Sequence, residues 1–154
     1  MVILKSSWSF WYHDIKTEDW SKESYVFIHK VESAEEIWGV LRLLTPKHMK
    51  VGMYFIMKND IFPEWSNEEN KRGGYWSLKL PDTRNDEFHK WVMYMISEDL
   101  CESDKGIIHG LSYSPKYNHG ILKIWNNDSI FGKVNYLNSH LNTNGCKYTA
   151  FKRK

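Results

Sequence analysis

The stretch Val31-Glu-Ser-Ala-Glu-Glu-Ile-Trp-Gly-Val-Leu-Arg-Leu-Leu-Thr-Pro46, VESAEEIWGVLRLLTP, decides the fold class. It opens on a capping box, in which the Ser33 hydroxyl can accept from the Glu36 amide while the Glu36 carboxylate reaches back to the Ser33 amide. A helix therefore begins at Ala34 and runs until Pro46 stops it. Ile37, Val40, Leu41 and Leu44 form an i, i+3, i+4, i+7 stripe on its inner face. Trp38 lies roughly 90–100° from the centre of that stripe, which puts it at the rim, half exposed. A second helix repeats the pattern over Asp86 to Leu100, with Phe88, Trp91, Val92, Met95 and Ile96, and a third, weaker one spans Ser129 to Leu141. Outside these segments the period changes to two. Ser7 to His13 alternates, with Trp8, Phe10 and Tyr12 on one face, and Tyr25–Lys30, Met53–Met57, Tyr75–Leu80, Ile107–Tyr113 and Gly120–Trp125 read the same way. About six strands alternating irregularly with helices, joined by Asn/Gly-rich turns, predict an α+β fold: an antiparallel sheet with helices on one face.

A chain of 154 residues with 42% hydrophobic content suits one domain, 1–154, around one core. Aromatic residues make up 16%, including 8 Trp and 9 Tyr, more than the packing of so small a core requires, so some rings are left for a binding surface. The formal charge of +2 is too mild to hold nucleic acid by backbone electrostatics, a mode that neutralises many phosphates at once. A nucleic-acid ligand would have to be gripped in a pocket. Cys101 and Cys146 are far apart and carry no zinc spacing, which reads as reduced, structural thiols. The apolar start Met-Val-Ile-Leu is too short for a signal peptide, and no apolar run of about 18 residues could span a membrane. A soluble, cytoplasmic protein is expected.

No nucleophile elbow, Gly-rich phosphate loop or GxGxxG motif is present, and the seven histidines show no metal-ligand spacing. Most carboxylates lie at helix starts, where they suit the helix dipole. Catalytic residues, metals and cofactors are not expected. What remains is aromatic. Trp65 sits in Ile61-Phe-Pro-Glu-Trp-Ser-Asn67 among turn formers, on a loop with no apolar period, either as a buried plug or as a stacking platform. Trp20 sits in a second loop, and Lys123 shares a strand face with Trp125. An indole that stacks on an unpaired base contributes roughly 1–3 kcal/mol, and two loop indoles could clamp one base from both sides.

These residues resemble the eukaryotic translation initiation factor 4E family, which binds the 5′ cap of messenger RNA. The matching pieces are Trp8-Ser-Phe-Trp11, Trp20, Val31 to Trp38, Ile61-Phe-Pro-Glu-Trp65, Asn70-Lys-Arg-Gly-Gly-Tyr-Trp76 and Ile124-Trp125, in order over residues 8 to about 125. The resemblance implies a curved antiparallel sheet backed on its convex face by helices, with the cap in a slot on the concave face. It makes Trp20 and Trp65 the indoles that sandwich 7-methylguanine and Trp125 the indole near the N7 methyl. Methylation makes the ring cationic, so an indole face attracts it more than neutral guanine. Lys116 stands where the family has a phosphate-binding arginine, Ile121 stands where it has a phosphate-binding lysine, and Lys123 and His119 are the substitutes nearest at hand. Trp38, joined by Val92 and Ile96, matches the dorsal face on which a scaffold factor, 4G, docks an amphipathic helix.

Three departures stand out. The carboxylate that follows the stacking tryptophan and meets the guanine edge is replaced by Ser66, an arginine before Trp76 is replaced by Tyr75, and the region after Trp125 is short. A guanine edge left without an acceptor would recruit another one, with Glu68 expected first and Glu64 and Asn67 after it. The favoured reading is a cap-binding initiation factor that acts on capped mRNA and a scaffold partner. The alternative is an interaction protein that keeps the dorsal face and has lost or altered cap recognition. A nucleotide hydrolase would need acidic metal ligands that the sequence lacks. The Asn, Lys and Ile content fits AT-rich coding, as in a protist or a large DNA virus, whose product would work in the host cytoplasm.

Overall fold

Seven antiparallel strands form one curved sheet in a computed structural model that describes residues 2–81, 85–102 and 104–151. They are β1 (Ile3–Asp14), β2 (Val26–Ser33), β3 (Gly52–Lys58), β4 (Gly74–Pro81), β5 (Ile108–Pro115), β6 (His119–Asn126) and β7 (Lys147–Ala150), in the spatial order β2-β1-β3-β5-β6-β4-β7. Three helices, α1 (Ala34–Leu43), α2 (Pro46–Met49) and α3 (Asn85–Ile96), pack against one face.

Pairing register turns the period-2 pattern into two unlike surfaces. Phe10, Ile56, Leu111, Ile124, Trp76 and Tyr148 are consecutive partners across β1, β3, β5, β6, β4 and β7, one apolar row under the helices. The first five are wholly buried, and Ile37 and Leu41 of α1 and Phe88, Trp91 and Met95 of α3 close over the same core. One residue along, the row is Trp11, Phe55, Ser112, Lys123, Ser77 and Lys147, on the opposite face. That face carries a second, smaller cluster of Phe55, Met57, Trp125 and Phe151.

The Ser33 cap forms at the predicted place, with the Glu36 amide donating to Ser33 Oγ at 3.2 Å. The reciprocal bond differs: Glu36 Oε1 accepts from the Glu32 amide at 2.8 Å, one residue before the expected donor. That bond is the main reason the Glu36 carboxyl is held below its usual range. Helix α1 stops at Leu43, short of Pro46, and Pro46 opens a new turn instead of ending the old one. A proline at the first helical position loses no bond, and Thr45 Oγ1 accepts from the His48 amide as its cap.

Helix α3 ends at Ile96 rather than Leu100. Glu98 turns left-handed with φ of 61°, its amide bonding the Met95 carbonyl while that of Asp99 bonds the Tyr94 carbonyl. This is a Schellman stop without the glycine that usually signals one. The third helix expected over Ser129 to Leu141 is two isolated 3-10 turns, Ser129–Phe131 and Val134–Tyr136, separated at Gly132. Strand β7 was not foreseen, because Lys-Tyr-Thr-Ala is too short to show a period. Cys101 and Cys146 are free thiols, pushed up to about 12 and about 11 by burial.

Two partner-facing assignments need correction. Val92 is fully buried and Ile96 is 2% exposed, both within the main core, so neither is available on the dorsal surface. Both belong to the inner stripe of α3, with Phe88, Trp91 and Met95. Trp38 is 50% exposed, with its ring edge-on to His89 at 6.0 Å.

Candidate ring-stacking site

On the sheet face away from the helices, a pocket of about 460 Å³ opens between two loops. Its walls include Trp20, Trp65, Glu64 and Ser66, and its floor includes Phe55, Tyr75, Ser112, Lys123 and Trp125. That volume is enough for one nucleotide-sized ligand.

The first wall belongs to the loop between β1 and β2, which has few apolar residues and holds its shape through local polar bonds. Asp14 Oδ1 accepts from the Lys16 amide, Thr17 Oγ1 from the Asp19 amide and Asp19 Oδ1 from the Ser21 amide, all within 3.1 Å. These Asx and Ser/Thr turns use side chains to replace a backbone ladder. The bonds from Ser21 hold the exposed Asp19 carboxyl below its usual range. Trp20 stands on this loop, 46% exposed, with one face stacked on His13 at 3.7 Å between ring centroids.

The second wall is the loop after β3, and its organiser is Asn70, a residue with no exposure at all. The Asn70 side-chain amide donates to the carbonyls of Phe62 at 3.0 Å and Glu64 at 2.9 Å, folding the loop so that Trp65 stands out, 48% exposed. With both amide hydrogens committed, Asn70 Oδ1 is left to accept from His109 Nδ1 at 3.0 Å, which fixes the histidine tautomer. Burial, and after it the nearby Lys58 charge, holds the His109 imidazole below its ordinary 6.5. The loop returns through Gly73 and Gly74 because a Cβ on Gly73 would strike the Asn126 carbonyl oxygen and one on Gly74 the Thr149 carbonyl oxygen. Asn126, also wholly buried, takes the Gly74 amide at 3.1 Å and the Tyr148 hydroxyl at 2.7 Å on one oxygen.

The floor is aromatic with a basic border. Trp125, 6% exposed, donates its indole N–H to Ser112 Oγ at 3.3 Å and meets Phe55 and Phe151 edge to face. Lys123 Nζ lies 4.5 Å from the centroid of the Tyr75 ring, a cation–π contact that keeps the ammonium beside the pocket. Burial, and behind it the Glu64 carboxylate, pushes the Tyr25 phenol up to about 12, so Tyr25 is a neutral wall residue.

Of the residues singled out from sequence, Trp20, Trp65, Trp125, Ser66 and Lys123 line this one pocket. Glu68 does not: its side chain is 84% exposed and its carboxylate sits 2.8 Å from Lys71 Nζ, its partner three positions on. Glu64, the second choice, is the acidic residue in the lining. Lys116 and His119 flank the tip of the β5–β6 hairpin, closed by the Lys116 amide on the His119 carbonyl at 2.7 Å, and neither lines the pocket. Sequence reasoning missed Tyr25, Phe55, Thr149 and Phe151. Phe55 could be found only once β3 and β5 were known to be neighbours, and Thr149 and Phe151 depend on a strand without a pattern. Among the described residues no group of three or more His, Cys, Asp or Glu could hold a metal ion, and no helix is long and apolar enough to cross a membrane.

Fold and site together define a class: an α+β protein with helices on one sheet face and an aromatic-lined pocket on the other. The chain belongs to the eukaryotic initiation factor 4E family, whose model matches residues 3–152. It is 31% identical to eukaryotic translation initiation factor 4E of Dictyostelium discoideum over 130 residues, covering 79% of this chain and 51% of that protein. Against the factor of Saccharomyces cerevisiae it is 29% identical over 113 residues, covering 68% of this chain and 52% of that one. The chain thus spans about half the length of these curated relatives. Among solved structures, Ascaris suum eIF4E-3 in complex with m7G cap superimposes with a TM-score of 0.72 at 19% identity, over 84% of this chain and 75% of that one. Schistosome eIF4E complexed with m7GpppG and 4E-BP gives 0.73 at 22% identity, over 83% and 73%. At these identities the likeness is one of fold.

Proposed function

We propose that the slot binds the 7-methylguanosine 5′ cap of messenger RNA, and that the opposite side of the protein recruits a 4G-like scaffold factor to promote translation initiation in the cytoplasm. One observation carries this reading: two half-exposed indoles from separate loops line a single pocket, with a third indole in its floor. Trp20 and Trp65 take the two faces of the base, and Trp125 lies against the N7 methyl. The cationic ring of 7-methylguanine gains more from two indole faces than neutral guanine does. Glu64 and Ser66 are the acceptors for the guanine N1–H and N2–H₂ donors, with a carboxylate able to take both. Lys123 receives the phosphate chain, and Lys147, its neighbour but one across Ser77, extends the basic border. A lysine supplies charge without the planar fork of an arginine, so this contact is less directional than the family pattern.

The solved relatives support the pairing of the two surfaces: the schistosome factor was captured with a cap dinucleotide and 4E-BP together, and eIF4E-3 of C. elegans with the 4E-binding protein Mextli. On this chain the dorsal anchor is Trp38 on α1, beside His89 of α3. A second reading, an interaction protein with lost or altered cap recognition, rests on Ser66 and Ile121, which remove one base contact and one phosphate contact. Retention on immobilised 7-methyl-GDP, with elution by 7-methyl-GTP and not by GTP, separates the two. Trp20→Ala and Trp65→Ala should each weaken 7-methyl-GTP binding by about ten-fold, from a stack worth ~1–3 kcal/mol. If both folded variants bind as tightly as the wild type, the sandwich is wrong.

A further inference from the structure

We propose that His13 is a positioning residue of the slot, holding the Trp20 indole so that only one of its faces is open to a ligand. The proposal rests on the cap reading for what that face receives, but its geometry stands on its own. His13 comes from the rigid end of β1, paired opposite Met53 of β3, which itself lines the pocket. Its ring is wholly buried and parallel to the Trp20 indole, 3° between planes and 3.7 Å between centroids. The same imidazole ties down the backbone that carries the indole. Nε2 lies 2.8 Å from the Asp19 carbonyl, immediately before Trp20, and 3.1 Å from Ser24 Oγ, whose own hydrogen is given to the Ser21 carbonyl at 2.7 Å. Both neighbours of Nε2 are therefore acceptors, so Nε2 donates. Nδ1 lies 3.0 Å from the Asp14 carbonyl at the other end of the loop.

One side chain thus does two things that are usually separate. It fills the rear face of the indole, and it bonds the loop backbone next to it. A phenyl ring or an aliphatic side chain could do the first but not the second. The loop has no strand pairing between Asp14 and Val26, so without this anchor the indole would sample many orientations and binding would have to freeze it. Prearranged, it stacks without that cost.

A thermodynamic cycle with 7-methyl-GTP as the probe tests the idea. His13→Ala should weaken binding roughly five-fold when Trp20 is present, the size expected for ordering one large side chain on binding. In the Trp20→Ala background the same change should cost no more than about 1.5-fold, because the ring that His13 holds has gone and only its edge contact with Tyr25 still leads to the pocket. His13→Phe should fall between the wild type and His13→Ala. Equal losses in both backgrounds, or no loss in the wild type, would overturn the proposal. Should His13→Ala fail to fold, the stack is read without ligand in the wild-type protein. The His13 ring protons should resonate upfield from the indole ring current and move downfield in Trp20→Ala; unmoved resonances also overturn it. A wild type that does not bind 7-methyl-GTP overturns the cap reading, and the resonance shift then still decides whether His13 holds Trp20.

Discussion

Glu64 and Ser66 flank Trp65 in the chain, and both reach the pocket that Glu68, two residues further on, does not. The reason is the turn closed by the Asn67 amide on the Glu64 carbonyl at 3.1 Å, which carries the chain away from the slot before Glu68 is reached. Glu64→Gln should therefore weaken 7-methyl-GTP binding about ten-fold, since a guanine donor left without a good acceptor costs roughly 1–3 kcal/mol. Glu68→Ala should leave it within about two-fold, because its partner is an exposed lysine in a pair worth about 0.2–1 kcal/mol at most. Isothermal titration of the two variants decides between them.

His109 makes a second prediction at this scale. Its folded-state pKa lies below the ordinary 6.5, so below that pH the unfolded chain binds the proton more readily than the native one. Its stabilising contribution is complete above about 6.5 and is lost as the pH falls through that value toward the folded one. The urea midpoint should drop between pH 7.5 and 5.5, and His109→Gln should flatten that drop. His89, also held low by burial, contributes to the slope that remains with the same sign.

At the scale of single elements, the loop after β3 is the most instructive, because it has no regular structure yet places Trp65 and Glu64. Asn70 makes three side-chain bonds inside it, and no substitute of similar size offers two donors and an acceptor in that arrangement. Asn70→Ala should cost about 1–3 kcal/mol in stability, because the His109 Nδ1–H loses its acceptor and the carbonyls of Phe62 and Glu64 each lose one of two donors. Amide hydrogen exchange should accelerate across 61–72 before it changes in β3 or β4. Helix α1 shows the opposite design: its inner face is locked by Ile37 and Leu41, so its outer face can carry a large exposed indole without disturbing the core. Trp38→Ala should abolish capture of a scaffold-derived helical peptide while leaving 7-methyl-GTP affinity within about two-fold, the pattern of an interface anchor. Loss of both activities together would mark Trp38 as structural.

At the scale of the whole molecule, one sheet separates two kinds of chemistry. The row from Phe10 through Ile56, Leu111 and Ile124 to Trp76 is apolar because helices cover it; the next row, one residue along, ends in Lys123, Ser77 and Lys147 on the face that no helix among the described residues covers. Ile124→Ala should lower stability by about 2–5 kcal/mol, seen as a lower urea midpoint at unchanged slope. Its sequence neighbour Lys123, on the other face, should when changed to Ala weaken 7-methyl-GTP binding with little effect on that midpoint.

The sequence by itself determined whatever local periodicity encodes. Strand β4 alternates over its length and β6 over most of its own, and α1 announces its start at Ser33 and its inner face at Ile37 and Leu41, so the α+β class was legible. So was the oddity of Trp20 and Trp65 on polar loops. The tertiary structure alone decided matters that depend on which segments become neighbours. The end of α3 was unreadable because Glu98, not glycine, takes the left-handed turn, and the third helix dissolved at Gly132 into two isolated turns. Val92 and Ile96 were assigned to the wrong face because both sides of α3 carry apolar residues, and only packing against the sheet says which is inward. Glu64 was separated from Glu68 by the turn that the Asn67 amide closes on the Glu64 carbonyl, inside a loop held by Asn70 bonds to residues six and eight positions away. His13 came to lie behind Trp20 through two carbonyl contacts that no spacing rule foretells. Side-chain period is a property of one segment, whereas a site is built from several, and its composition is set by register and loop closure.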